Sequence, residues 1–190
     1  MKKLLLLLAL VCCIACSRPP ATFNNPYGVT AMLNDSIWFG RAYVAEAAAL
    51  NSNPCATGRF TVFLDSNVGY PGDRLRLSPQ QVAMQAGEFV ARQRITLYNI
   101  PAKRGSYRIN ELNQCGGIVV SQGNYALLGN GSALIEPYFL QPKQVGQVRI
   151  IKIDSAARTV TGTFKVTLTA SSGRVARFRK GRFIAGLPKK

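Results

Sequence analysis

The sequence predicts an all-β domain, an antiparallel β-sandwich or flattened barrel with at most one short helix. Three observations carry that expectation. Short β-leaning runs recur along the chain, glycine, proline, asparagine and aspartate punctuate them, and the C-terminal run from Val160 to Ala170 alternates apolar and polar residues without a fault. After the first sixteen residues there is no internal repeat and no low-complexity tract.

In chain order, residues 17–26 (SRPPATFNNP) hold three prolines and form an extended tether. Residues 29–46 make a first hairpin that turns at Asn34-Asp35, with the single tryptophan, Trp38, as a core anchor early in its second strand. Ala45 to Leu50 is alanine-rich and fits a helical turn equally well. Asn51 to Thr57 is a loop carrying Cys55, Arg59 to Asp65 a strand, and Ser66 to Asp73 a turn-rich loop. Arg74 to Leu77 alternates as a short half-buried strand. Ser78 followed by Pro79 is an N-cap with proline at the first helical position, which starts a helical turn that Gly87 stops.

Glu88 to Ile100 alternates loosely until Pro101 breaks it. Gly105 to Leu112 is the next strand, with Tyr107 and Ile109 on one face. Cys115-Gly116-Gly117 is a turn, Ile118 to Val120 a strand, and Asn124 to Leu128 another, ended by the hairpin signal Asn130-Gly131. Pro137 demotes Leu134 to Leu140 to an edge strand or a loop-like segment.

The C-terminal third is the most sharply patterned. Val148 to Ile153 is a strand and Asp154 to Arg158 a turn. Val160, Gly162, Phe164, Val166, Leu168 and Ala170 point to one face; the threonines between them and Lys165 point to the other. Ser171-Ser172-Gly173 suits a three-residue hairpin loop with Gly173 left-handed, which pairs Leu168 with Ala176 and Val166 with Phe178. The alternation then slips between Phe178 and Phe183. A bulge at Lys180-Gly181 repairs it and sets Phe183 over Gly162.

The N-terminus carries the address. In MKKLLLLLALVCCIAC, two lysines precede an uncharged apolar run that is too short to span a bilayer, and Ala15 precedes Cys16. That layout is a secretory signal, and its ending Cys13-Ile14-Ala15-Cys16 resembles the lipobox of bacterial lipoproteins, which implies a signal peptide over 1–15, a lipidated tether over 16–26 and one β domain over 27–190. Plain secretion and a retained anchor stand beside that reading, because Cys13 occupies a position where leucine is usual. Of five cysteines, Cys12 and Cys13 leave with the signal and Cys16 takes the lipid, so Cys55 and Cys115 remain as an even pair in an oxidising compartment. A disulfide is the economical reading; two buried thiols that never meet is the other.

Composition excludes several activities. The sequence contains no histidine, which removes the usual serine and cysteine triads and the commonest zinc ligand, and two lone cysteines cannot complete a four-thiolate site. Eight acids, Asp35, Glu46, Asp65, Asp73, Glu88, Glu111, Glu136 and Asp154, are scattered with no spacing that marks a catalytic pair. No catalytic residue, metal site or cofactor is expected, and a glycan-processing enzyme is a remote alternative. A net charge of +16, or +14 once Lys2 and Lys3 are removed, favours anionic partners or serves solubility alone. The hairpin register puts Lys165 opposite Arg179, Thr167 opposite Arg177 and, beyond the bulge, Thr163 opposite Arg182. Lys165, Arg177, Arg179 and Arg182 are thus the candidate anion-binding residues, for a glycan or lipid headgroup rather than nucleic acid. The bland account of the same strip is a solvated face that discourages edge pairing.

Several of these features occur together in one family. The lipobox-like ending at Cys16, the early Ser36-Ile37-Trp38, Asn99-Ile100-Pro101 before Gly105-Ser106-Tyr107, and the closing Val160-Thr161-Gly162-Thr163-Phe164 with Gly181-Arg182-Phe183 carry the likeness. On these residues the chain resembles the single-domain all-β lipoproteins of unknown function of the Bacteroidetes. The resemblance implies an acylated Cys16, palmitate among its chains, and an outer-membrane lipoprotein. Because Ser17-Arg18-Pro19-Pro20 lacks the acids of surface-displayed members, it implies a periplasm-facing position. It also implies O-glycan acceptors at Ser36 in Asp35-Ser36-Ile37 and Ser155 in Asp154-Ser155-Ala156. It supplies no catalytic residue. The expected role is a lipid-anchored envelope protein, structural or binding, with an anionic-ligand receptor module as the sharper alternative.

Overall fold

A computed structural model describes residues 28–46, 58–67, 90–113, 123–129 and 133–188. Cys16, Cys55 and Cys115 lie outside the described residues, as do the tether, the short strands expected at 74–77 and 118–120, and the helical turn expected from Ser78. The described chain forms β1 (Gly28–Leu33), β2 (Ser36–Glu46), β3 (Arg59–Ser66), β4 (Gln93–Pro101), β5 (Gly105–Arg108), α1 (Ile109–Leu112), β6 (Tyr125–Gly129), β7 (Ala133–Phe139), β8 (Gly146–Asp154), β9 (Thr159–Ala170) and β10 (Val175–Gly186).

Eight of these strands close a barrel. The pairings run β1–β2–β3–β4–β6–β7–β9–β10 and return from β10 to β1, all antiparallel. A single parallel bridge, Gly186 to Tyr43, joins β10 directly to β2. The narrowest seam is β7–β9, where only Tyr138 and Phe139 pair, with Ala170 and Thr169. Glu136 braces it by accepting from Ser172 Oγ at 2.5 Å and pairing with Arg174. Along the rest of that edge β9 pairs instead with β8, and β8 with β5, so the sheet splays into a two-stranded extension. β7 is accordingly an edge over most of its length, as Pro137 requires.

The interior is filled by side chains. Alternate residues of β1, β9 and β10 up to its bulge are buried, and Trp38, Tyr125, Tyr138, Phe178 and Phe183 are almost wholly buried. Trp38 meets Phe178 edge-on at 5.3 Å between centroids, and Tyr125 meets Phe178 at 5.1 Å and Tyr138 at 4.9 Å. One polar group sits among these rings. Gln93 Oε1 accepts from Trp38 Nε1 at 2.8 Å and from Tyr125 Oη at 2.7 Å.

The hairpins expected at Asn34-Asp35 and Gly173 form as expected, and β6 pairs with β7 as the Asn130-Gly131 signal requires, that turn itself lying outside the described residues. Asn34 and Asp35 both take positive φ (46° and 68°), the mirror-image turn that matches strand twist. The Asn34 side chain then stitches this turn to β10, donating to the Val175 carbonyl and accepting from the Arg177 amide at 2.9 Å each. At the far hairpin Gly173 has φ +83°, Leu168 faces Ala176 and Val166 faces Phe178. Lys180 is left-handed at the bulge, and Phe183 faces Gly162.

One expected strand is cut short. Only Gly105–Arg108 is extended; Ile109–Leu112 coils into the one short helix among the described residues. One turn places Ile109 and Leu112 on the same side, both buried, which an alternating strand cannot do for residues three apart. Asn99 Nδ2 holds the turn by donating to the Leu112 carbonyl at 3.0 Å. Asn113 and Asn124 exchange side-chain hydrogen bonds at 2.6 and 3.2 Å, and Asn124 also donates to the Thr96 carbonyl.

Candidate anion-binding face

The site candidate lies on the outside of β8, β9 and β10. Because Val160, Phe164, Val166 and Leu168 fill the interior, Thr161, Thr163, Lys165 and Thr167 must face out. On β10 the same rule turns Arg177, Arg179 and Arg182 outward, and on β8 it turns Gln147 and Arg149 outward. Register then builds rows across the strands. One runs Ser106, Arg149, Thr163, Arg182, Thr30, so a threonine separates two exposed arginines. The next runs Arg108, Gln147, Lys165 to the bulge on β10. Thr167 faces Arg177, and Gln144 Nε2 donates to Thr169 Oγ1 at 2.7 Å.

The structure therefore brings Lys165, Arg177, Arg179 and Arg182 onto one face, and refines the set. The ladder steps from Phe178–Val166 to Gly181–Phe164, so Arg179 and Lys180 together oppose Lys165 instead of Arg179 alone. Arg179 forms an ion pair with Asp35 in the β1–β2 turn, and Lys152 pairs with Asp154 at 2.6 Å. Among the described residues, Arg149, Lys165, Arg177, Lys180 and Arg182 make no ion pair. Arg149 has no place in the sequence reading, which put Lys180 at the bulge but not among the candidate anion-binding residues. Arg149 follows the period-two pattern of its strand, but only the β8–β9 pairing puts it beside Thr163.

A second polar cluster lies on the outer side of β2–β4. Arg94 grips Asp65 with two hydrogen bonds of 2.7 and 2.8 Å, and Tyr43 Oη donates to Asp65 Oδ2 at 3.2 Å. The guanidinium also lies over the Phe63 ring at 5.2 Å, and that ring stacks on Tyr43. Burial first, and then the Asp65 charge, pushes the Tyr43 phenol up to about 12. Asp65 is neutralised within the cluster, so this arrangement is a fold staple between strands.

Ser36 starts β2 beside the Asn34-Asp35 turn, and Ser155 lies in the β8–β9 turn; both are exposed. Asp154 is engaged there by the Ala157 amide at 2.8 Å. Among the described residues no three His, Cys, Asp or Glu side chains gather as a metal site. Fold and face together define a closed all-β barrel with a packed interior and a cationic outer face. The chain matches no family model, no curated protein and no solved structure.

Proposed function

We propose that the protein is a lipid-anchored envelope protein whose barrel binds anionic groups, phosphate or carboxylate, through the outer face of β8–β10. The observation that carries this reading is the unneutralised set Arg149, Lys165, Arg177, Lys180 and Arg182 on one face. Cations crowded on a sheet repel one another and give the fold nothing. Arginine forks bind both anions in two-pronged fashion, and interleaved threonine hydroxyls add donors. Each basic residue that reaches an anionic surface contributes roughly 1 kcal/mol, so five together support reversible binding even with exposed side chains.

The anchor in this reading is Cys16 and the compartment the periplasm-facing outer membrane, both from the sequence. The packed aromatic interior favours binding on the surface over binding inside. The role is non-catalytic. Two experiments test it. Metabolic labelling with an alkyne fatty acid marks the wild-type chain and not Cys16→Ser; persistent label in that variant contradicts the anchor. Replacing Lys165, Arg177 and Arg182 by Gln sharply weakens binding to acidic polysaccharide and anionic vesicles, while far-ultraviolet circular dichroism is unchanged. Unaltered binding contradicts the face. Arg179 is left in place because it balances Asp35.

A further inference from the structure

We infer that the anion met by this face is the headgroup layer of the bilayer that carries the anchor, so that the barrel lies with β8–β10 against the membrane. This deepens the proposed function and rests on it. Three observations converge. The first is where the anchored end of the chain enters the barrel. Val29 pairs with Phe183, so β1 begins beside Ile184. Eleven residues lie between Cys16 and Gly28, and the twelve steps that they make span at most about 43 Å, so the chain enters the barrel at this edge within that reach of the lipid.

The second observation is an apolar pair at that same end. Ile184 and Lys152 both face Thr161, and Ile151 is the extra residue of the bulge between Ile150 and Lys152. Ile184 is 42% and Ile151 47% exposed. A soluble acidic glycan has no use for two bare isoleucines, whereas the headgroup boundary of a bilayer accepts them.

The third is the order of the rows. Next to the isoleucine row comes Arg149–Thr163–Arg182, and beyond it Lys165 with the bulge residues Arg179 and Lys180. Rows on one face are spaced by about 6.6 Å, two residues of strand. Apolar side chains thus sit nearest the tether, with cations on the flank where phosphates lie. Long lysine and arginine stems lying along the surface make that contact without deforming the barrel.

The test uses the full chain, purified with its lipid and reconstituted into nanodiscs of phosphatidylcholine alone or with phosphatidylglycerol. Lysines are acetylated briefly and quantified by mass spectrometry. Lys143, before the opposite end of β8, is the internal reference. The expected result is severalfold slower labelling of Lys152 and Lys165 in anionic discs, with Lys143 unchanged. Arg149→Gln/Arg182→Gln in the same discs restores both rates. Protein that enters the discs and labels equally in both compositions overturns the inference and leaves the anchor standing. Protection by a soluble acidic polysaccharide but not by anionic discs also overturns it and keeps the anion-binding reading. Failure to enter either disc contradicts the anchor, and the inference with it.

Discussion

Gly162→Ala is the sharpest perturbation of the hairpin that carries the basic face. Gly162 lies on the inward side of β9 beneath Phe183. A Cβ there would stand 2.5 Å from Phe183 Cζ and 2.8 Å from the Arg149 carbonyl oxygen. Phe164 flanks that ring, 6.4 Å away between centroids, in the packed interior. The carbonyl belongs to the β8 backbone and cannot retreat without loosening the β8–β9 ladder. Overpacking of this kind costs about 1–3 kcal/mol. At this chain length each kcal/mol lowers Tm by roughly 2–4 °C, so the melting temperature should fall by about 2–12 °C in differential scanning calorimetry. Gly173→Ala is the control with the opposite cause: nothing lies within 4 Å of its Cβ, and its φ of +83° alone makes substitution unfavourable. Adding Phe183→Leu to Gly162→Ala should recover part of the loss at Gly162 and none at Gly173. A Gly162→Ala protein that melts with the wild type would refute the packing account.

Three further outcomes are expected. Gln93→Leu leaves the Trp38 and Tyr125 donors buried without their shared acceptor. At about 1–3 kcal/mol per orphaned donor the urea midpoint should drop markedly, and an unchanged midpoint contradicts the network. The Tyr43 phenol should titrate near 12 by ultraviolet difference spectroscopy, and lower in Asp65→Asn. Because its folded pKa is raised, the stability it contributes is complete below the unfolded value near 10 and is lost as pH rises towards 12. A Tyr43 titration unmoved by Asp65→Asn counts against the cluster. For Cys55 and Cys115, peptide mapping without reduction should yield a linked pair. A bridge across about 60 residues is worth roughly 4 kcal/mol in the chain-entropy account, so two freely alkylated thiols and an unshifted melt for Cys55→Ala would exclude it.

What could be read from the sequence follows the range of the interaction. The β9–β10 hairpin was legible in its turn and in every pair outside the bulge, which falls at Arg179-Lys180 and not at Lys180-Gly181, because alternation, Gly173 and the slip between Phe178 and Phe183 all act within one local stretch. Those signals also placed Lys165, Arg177 and Arg182 on a common face. Barrel closure was not legible, since the β7–β9 and β1–β10 seams join distant segments and leave no pattern in either strand. For the same reason the Arg179–Asp35 pair and the Arg149 row were missed. Ile109 and Leu112 misled differently. A four-residue helix is shorter than the window in which a helical period shows, so its first apolar residue passed for the continuation of an alternating strand. Gln93 gave no sign of burial because the donors that satisfy it lie 55 and 32 residues away.

The claim at the centre of the account is that the outer face of β8–β10 binds anions by charge. The direct measurement is co-sedimentation of the protein with anionic vesicles as ionic strength rises, beside the Lys165→Gln/Arg177→Gln/Arg182→Gln variant. Exposed cations act through a screening length of about 10 Å at 0.1 M salt and about 3 Å at 1 M. Wild-type binding should therefore weaken steeply as salt is raised, and the variant should bind weakly with a flatter dependence. Binding that ignores salt, or a variant that follows the wild-type curve, would contradict the claim.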